Sequence, residues 1–172
     1  NSNIVWTSVI GIILLSASIG NYIGGIIADK ENVKRNLKII LIITVIFMLL
    51  IPVIEKYVID GVISITDNIK IGAILSTLLL FFIPSVLMGL VSPIIVKLKL
   101  ENMETAGKIA GKINAISTIG GIVGTFLGGF FLIPQFGSIN ILFILTILVL
   151  LMIPLTDLKI KSISNIFLVS II

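Results

Sequence analysis

AGKIAGKINAISTIGGIVGTFLGGFFLIP, residues 106–134, is the stretch around which this chain is organised. It is apolar enough for lipid, yet glycine recurs along it, mostly at spacings of four residues. Because four residues are about one helical turn, Gly120, Gly124 and Gly128 line one stripe of a helix, and Gly121 and Gly129 line the next. Small residues at every fourth position let helices approach closely in a bilayer, so the pattern predicts a packing surface, with a moving or ligand-facing helix as the alternative. The predicted packing residues of the chain are Gly20 and Gly24, from an earlier small-residue stripe, together with Gly120, Gly124, Gly128 and Gly129.

The composition is typical of a membrane protein. Hydrophobic residues make up 58% of the chain and charged residues 12%, with a mean hydropathy of +1.29, whereas soluble domains carry roughly 25% charged residues. The absence of His and Cys removes imidazole and thiolate metal sites, disulfides and His-based catalysis. The net charge of +4 lies in short clusters between apolar segments, which favours membrane topology over nucleic-acid binding. We expect no catalytic residue, metal or cofactor within these residues.

The hydropathy pattern predicts an all-α, polytopic transmembrane bundle in a single domain, residues 1–172, with the glycine-rich helix at its centre. Residues 55–70 are expected to form a surface loop, with a short interfacial element at YVIDGVISI, residues 57–65, as an open alternative, and residues 135–138 a short turn. Proline within the third span predicts kinks at Pro84 and Pro93. An apolar start without Met or a cleavage site predicts a piece of a longer protein. The predicted spans cover residues 4–28, 37–54, 71–98, 106–133 and 140–155, with the opening of a sixth at 163–172.

Lys and Arg are distributed unevenly between alternate loops. One side has only Lys56 and Lys70, and the other collects the remaining ten of the 12 basic residues. Because basic loops stay in the cytoplasm, this asymmetry predicts a multi-pass protein of the cell (inner or plasma) membrane, with Asn1 at the outer face and the basic loops cytoplasmic. An outer start also predicts that an odd number of spans precedes residue 1. The ten basic residues are Lys30, Lys34, Arg35, Lys38, Lys97, Lys99, Lys108, Lys112, Lys159 and Lys161.

Few polar side chains fall inside the predicted spans, and these are the candidates for lining a cavity. Asn21 and Asn114 lie on the cytoplasmic side of their helix centres, so they are expected at a similar depth, either as one hydrogen bond or as two walls of a site. No charged residue lies in the middle of a span, which argues against a proton relay or a buried ion pair. The candidate lining residues are Asn21, Tyr22, Ser92, Asn114, Ser117 and Thr118.

The loop after the first span, GIIADKENVKR at residues 25–35, resembles the loop between the second and third helices of major facilitator transporters. The cytoplasmic side derived above agrees with the location of that loop. In that family its charged residues form an inner-side latch between helices, so the resemblance implies that Asp29 is the acidic member. A solvated positive-inside loop is the alternative. The residues that the resemblance assigns to the latch are Gly25, Asp29, Lys30, Lys34 and Arg35.

A wider resemblance covers nearly the whole chain. WTSVIG at 6–11, GNYIGGIIADK at 20–30, PSVLMGLVSPIIVKL at 84–98 and the glycine-rich stretch are similar to the membrane-spanning N-terminal region of proteins that fuse a major facilitator-like helical domain to a spermidine synthase-like domain. The glycine spacing also resembles a fifth-helix motif of the facilitators, but Thr125 stands where many antiporters have proline. The resemblance implies an aminopropyltransferase-like domain downstream, which is not among these residues because no glycine-rich nucleotide turn follows Gly137.

Two classes of function remain open at this point. The resemblance implies either a membrane anchor for the synthase-like domain or half of a transport pathway for a polyamine or related solute. A plain major facilitator-type small-solute transporter is the alternative. The expected partners are the lipid bilayer, the synthase-like domain of the same full-length chain and a small-molecule substrate, and no nucleic acid. The fragment itself is not expected to be an enzyme, and catalysis by the full-length protein stays open.

Overall fold

The computed structural model describes residues 2–100 and 105–156, and within them the chain is a bundle of helices without a strand. The predicted all-α architecture is therefore confirmed. Four helical runs are long and apolar enough to cross a membrane, the last of them being Ala106–Leu155. The predicted partial sixth span at 163–172 lies outside the described residues. The helices are α1 (Ser2–Ala28), α2 (Val33–Ile65), α3 (Ile69–Lys99), α4 (Ala106–Leu127) and α5 (Ile133–Leu155), with a π-helical turn at Gly128–Leu132 between the last two.

Helix α2 is longer than the sequence predicted. The expected loop at residues 55–70 is wrong, because α2 continues through Pro52 to Ile65 and leaves three residues, 66–68, as the connection to α3. The residues after Pro52 include one glycine and no further proline, so nothing in them ends a helix. At 33 residues α2 is about 50 Å long, which exceeds a bilayer core of roughly 30 Å. The helix is therefore longer than a perpendicular crossing of such a core requires.

The run from Ala106 to Leu155 changes direction at Gly137. This glycine has φ 75° and ψ 161°, a conformation outside the helix, in the middle of the turn predicted at residues 135–138. The side chain of Val149 packs in the same buried cluster as Leu37, near the start of α2, whereas Ser138 lies beside Glu55, near its other end. Helix α5 therefore runs antiparallel to α2 and returns along the bundle.

The closest helix contact joins α1 to α3 through glycine. A Cβ on Gly20 would overlap the carbonyl oxygen of Val86 and lie 2.9 Å from the Cα of Gly89, and a Cβ on Gly24 would lie 2.6 Å from the Cγ of Pro93. Because no side chain intervenes, the two backbones come into direct contact. The small residues of α1 that face α3 recur at spacings of four, and Ser16, Gly20, Gly24 and Ala28 are all buried.

The glycine-rich helix is not the centre of the described bundle, which corrects the prediction from the sequence. No residue of α4 is buried. Nothing within residues 2–100 and 105–156 lies within 4 Å of a Cβ built on Gly120, Gly124, Gly128 or Gly129. Glycine spacing identifies a surface that a helix can approach, but it does not specify the partner, and in this bundle α3 meets the glycines of α1.

The two ends of the bundle differ in charge. The ion pair between Asp29 and Lys97 shows that α1 and α3 end on the same side. That side, called here the basic end, also carries the starts of α2 and α4, and its described Lys and Arg residues are Lys30, Lys34, Arg35, Lys38, Lys97, Lys99, Lys108 and Lys112. The opposite end, called here the Glu55 end, joins α2 to α3 and carries Glu55, Lys56, Asp60, Asp67 and Lys70.

Candidate functional site

A cavity of about 1120 Å³ lies between the helices, and all five contribute to its lining. We call it the central cavity. Most of its wall is apolar, with Met48 and Ile51 from α2 and Leu142 and Leu145 from α5. The polar side chains come from α1, α3 and α4, and they are Asn21, Ser85, Ser92, Asn114, Ser117 and Thr118.

Helical spacing explains how α4 presents its polar residues. Ser117 and Thr118 stand three and four residues after Asn114, and Gly121 stands four and three residues after them, which places all four on one face of a helix. The Oγ1 of Thr118 donates a hydrogen bond to the backbone carbonyl of Asn114 at 2.9 Å. The hydroxyl proton of Thr118 is thus already used, and its oxygen remains an acceptor towards the cavity.

Five of the six candidate lining residues meet at the central cavity. Asn21, Ser92, Asn114, Ser117 and Thr118 lie in its wall, whereas Tyr22 does not. The side chain of Tyr22 is 75% exposed on the outer surface of α1. Consecutive residues of a helix are about 100° apart, and at this position of α1 that step puts the side chain of Tyr22 outside the cavity wall.

The amides of Asn21 and Asn114 form two walls of the cavity. Both residues are exposed to it, and within the described residues their side chains are not hydrogen-bonded to each other. Of the two arrangements left open by the sequence, the structure has the one in which both amides are available to a third group. An amide carries two donors and an acceptor, so the pair can bind donors as well as acceptors.

A second cavity, of about 260 Å³, adjoins the first towards the Glu55 end. Both are lined by Ile51, Phe81, Leu142 and Leu145, so the two spaces share a wall. We call the second space the Glu55 chamber, because Glu55 lies in its wall with Ser138 and otherwise apolar side chains. The location of Glu55 in a cavity wall was not predicted, because residues 55–70 were expected to form a loop. The signal was the spacing of Met48, Ile51 and Glu55, which places them on one face of a continued helix.

The predicted latch loop forms its cross-helix contact differently from the expectation. The Nζ of Lys97 lies 3.1 Å from the Oδ1 of Asp29, and the two side chains are 43% and 77% exposed. Asp29 therefore pairs with α3, and the basic residues of its own loop, Lys30, Lys34 and Arg35, are exposed. Gly25, the remaining latch candidate, lies in α1 with open space at its Cβ position.

The geometry of the loop follows from Asn32. Its φ of 60° and ψ of 42° are left-handed, a conformation that asparagine tolerates better than most residues, and they turn the chain from α1 into α2. The Nδ2 of Asn36 donates to the carbonyl of Glu31 at 3.3 Å, which holds the turn from its other side.

Within the part of the chain that the structure describes, no three His, Cys, Asp or Glu side chains come together as ligands for a metal ion.

Comparison of the chain with protein-family models, with curated proteins and with solved structures found no match in any of the three.

Proposed function

We propose that this chain is the membrane-embedded part of a transporter and that its central cavity binds a small polar solute on its way across the bilayer. The observation that carries the proposal is the convergence of polar side chains from three helices, among them Asn21, Ser92 and Asn114, on one cavity of an otherwise apolar protein. A membrane anchor needs no such convergence. Because polar groups away from bulk water need partners, unpaired amides around a cavity favour a bound solute.

The proposed topology has five crossings, one for each of α1 to α5. The run of 50 residues from Ala106 to Leu155 would be about 75 Å long if straight, more than twice the thickness of a bilayer core, and Gly137 supplies the reversal within it. The excess of Lys and Arg at the basic end supports a cytoplasmic location for that end in a cell membrane. The Glu55 end then faces outwards.

The proposed solute is a polyamine or a related small molecule. The resemblance of residues 6–11, 20–30, 84–98 and 106–134 to facilitator and spermidine synthase fusions supports this choice, and the same resemblance implies a synthase-like domain in the full-length protein. The oxygen atoms of the cavity's amides and hydroxyls are acceptors for ammonium groups. A plain facilitator-type transporter of another small solute is the broader form of the same proposal.

A second candidate function, the membrane anchor, is favoured by the exposed glycines of α4. Their open Cβ positions leave a smooth surface on which a further membrane helix can pack, and a helix packed on Gly121, which lines the central cavity, would fill part of that cavity. In this case the bundle holds a catalytic domain at the membrane and carries no solute.

The test is uptake and efflux of labelled spermidine by the full-length protein in sealed vesicles. We expect Asn21→Ala and Asn114→Ala to lower the transport rate about tenfold or more, because each removes one wall of amide contacts. Tyr22→Phe and Thr125→Val are the matched controls, since neither residue lines the cavity, and both are expected to transport at the wild-type rate. Correct insertion is checked for every variant by its detergent stability.

An accessibility measurement separates the two candidates. Residues 1–172 contain no cysteine, so Ser117→Cys introduces one thiol into the cavity wall once any cysteines elsewhere in the full-length protein are replaced by serine. If the cavity holds solute and water, a water-soluble thiol reagent modifies this residue readily in the full-length protein. Protection of the thiol, together with no spermidine transport by correctly inserted wild-type protein, would support the anchor and contradict the transporter.

A further inference from the structure

We propose that the Glu55 chamber selects for small organic cations and admits them to the central cavity. This inference rests on the proposed transport function and names the charge class of its solute. Among the described residues that line the two cavities, Glu55 is the only one with an ionisable side chain. No Lys or Arg of the described chain lines these spaces, so an anion would find no opposite charge there.

The surroundings of Glu55 strengthen the electric field of its carboxylate. The side chain is half-buried, and the chamber wall around it is mostly aliphatic, with Ile133, Ile139 and Ile141 from the last helical run. A charge between low-dielectric walls is screened less than one on an open surface, and it concentrates counter-ions in the cleft. The structure gives Glu55 no ion pair within residues 2–100 and 105–156, and its neighbour Lys56 is exposed outside the chamber.

The position of the chamber makes this charge relevant to the central cavity. Four residues are common to both linings, two of them being Ile51 and Phe81. On α2, Ile51 stands one turn from Glu55, so a solute beside the carboxylate has one layer of apolar side chains between it and the larger cavity. Beyond that layer the polar groups are neutral acceptors and donors, which suit an ammonium group once it has left the carboxylate.

The test compares how fast a cationic and an anionic thiol reagent enter the chamber. Residues 1–172 contain no cysteine, and cysteines elsewhere in the full-length protein are replaced by serine. Ser138→Cys then reports from the chamber wall, and Ser64→Cys, exposed at the same end but in neither cavity, is the control. Both variants also carry Asp60→Asn and Asp67→Asn, because these carboxylates lie within four residues of Ser64 and would attract the cationic reagent there. The reagents are trimethylammonium-ethyl and sulfonatoethyl methanethiosulfonate, applied to the full-length protein. The ratio of their rates cancels any change in the reactivity of the thiol itself.

We expect the ratio of cationic to anionic rates to be about tenfold higher at residue 138 than at residue 64, and to fall to the control value in Glu55→Gln. Equal ratios at the two positions, or a high ratio that persists in Glu55→Gln, would overturn the proposal. If Ser138→Cys does not insert, Ile141→Cys reports from the same wall. The readout is chemical modification, so it can fail while spermidine transport succeeds, or succeed while transport fails.

Discussion

The Nζ of Lys97 lies 3.1 Å from the Oδ1 of Asp29, across the ends of two helices that run in the same direction. One turn before this ion pair, Gly24 of α1 packs against the backbone of Leu90 and the ring of Pro93 in α3. The helix dipole destabilises one member of the pair and stabilises the other, because a carboxylate is unfavourable at the C-terminal end of a helix and an ammonium is favourable there. The contact therefore links the helices at the basic end, but its two members do not contribute equally.

The first prediction concerns the stability of that link. Asp29→Asn loses an exposed ion pair and also relieves an unfavourable dipole contact, so the free energy of unfolding should stay within about 1 kcal/mol of wild type. Lys97→Gln loses both favourable terms and should be the more destabilising of the two. Chemical unfolding in detergent at low salt measures both variants, with Glu31→Gln as a control in the same loop. A loss well above 2 kcal/mol in Asp29→Asn would contradict a weak surface contact. If the pair is a latch, both variants change transport more than stability.

The second prediction compares two glycines of similar sequence context. Gly20→Ala places a methyl group against the carbonyl of Val86 and the backbone of Gly89, so we expect it to cost about 2 kcal/mol or more. Gly124→Ala has open space around its Cβ and gains helix propensity, so its stability should equal or exceed that of wild type. Thermal unfolding in detergent measures the difference.

Gly124→Leu extends the same comparison to a further helix partner. In the described bundle the larger side chain also meets open space, and little change is expected. A strong loss of stability in the full-length protein would show that another helix packs on α4. Gly124 does not line the central cavity, and half of a transport pathway also needs further helices, so that result would identify a packing surface without deciding between the two candidate functions.

Much of the fold follows from the sequence because hydropathy and helical period act locally. The predicted spans 4–28 and 71–98 differ from α1 and α3 by no more than two residues at either end. Helix α2 was predicted too short because its last turns carry Glu55, Lys56 and Asp60, which look like a loop when charge alone is considered. A helix that extends past the bilayer can carry charges without ending, and local composition does not show how far it extends.

The partners of each helix face could not be predicted, because partner choice depends on the whole bundle. The glycines of α1 and α4 recur at the same spacing, yet Gly20 touches α3 and Gly124 touches nothing in the described residues. For the same reason the sequence does not identify Lys97 as the partner of Asp29. The two residues are 68 positions apart, and Lys97 is only one of several basic residues on its side of the chain. Asn21 and Asn114 were found because polar residues are rare in these helices.

The third prediction concerns the reversal at Gly137. Its φ of 75° and ψ of 161° belong to a region that is essentially restricted to glycine, so Gly137→Ala should lower stability by about 1–3 kcal/mol. Gly61→Ala, in the exposed part of α2 with nothing within 4 Å, is the control and should be neutral or slightly stabilising. Unfolding of both variants in detergent tests the comparison. Equal stabilities would mean that residue 137 adopts another conformation in the membrane.

The fourth prediction concerns orientation in the membrane. If the excess of Lys and Arg keeps the basic end in the cytoplasm, the two ends of α2 lie on opposite sides of the bilayer. A membrane-impermeant thiol reagent added to intact cells should then modify Ser64→Cys, near the end of α2, and leave Lys30→Cys unmodified until the cells are opened. Both positions are exposed, residues 1–172 contain no cysteine, and any cysteines elsewhere in the full-length protein are replaced by serine. The reverse labelling pattern would invert the topology and would turn the Glu55 chamber towards the cytoplasm. Labelling of both positions in intact cells would contradict a single orientation.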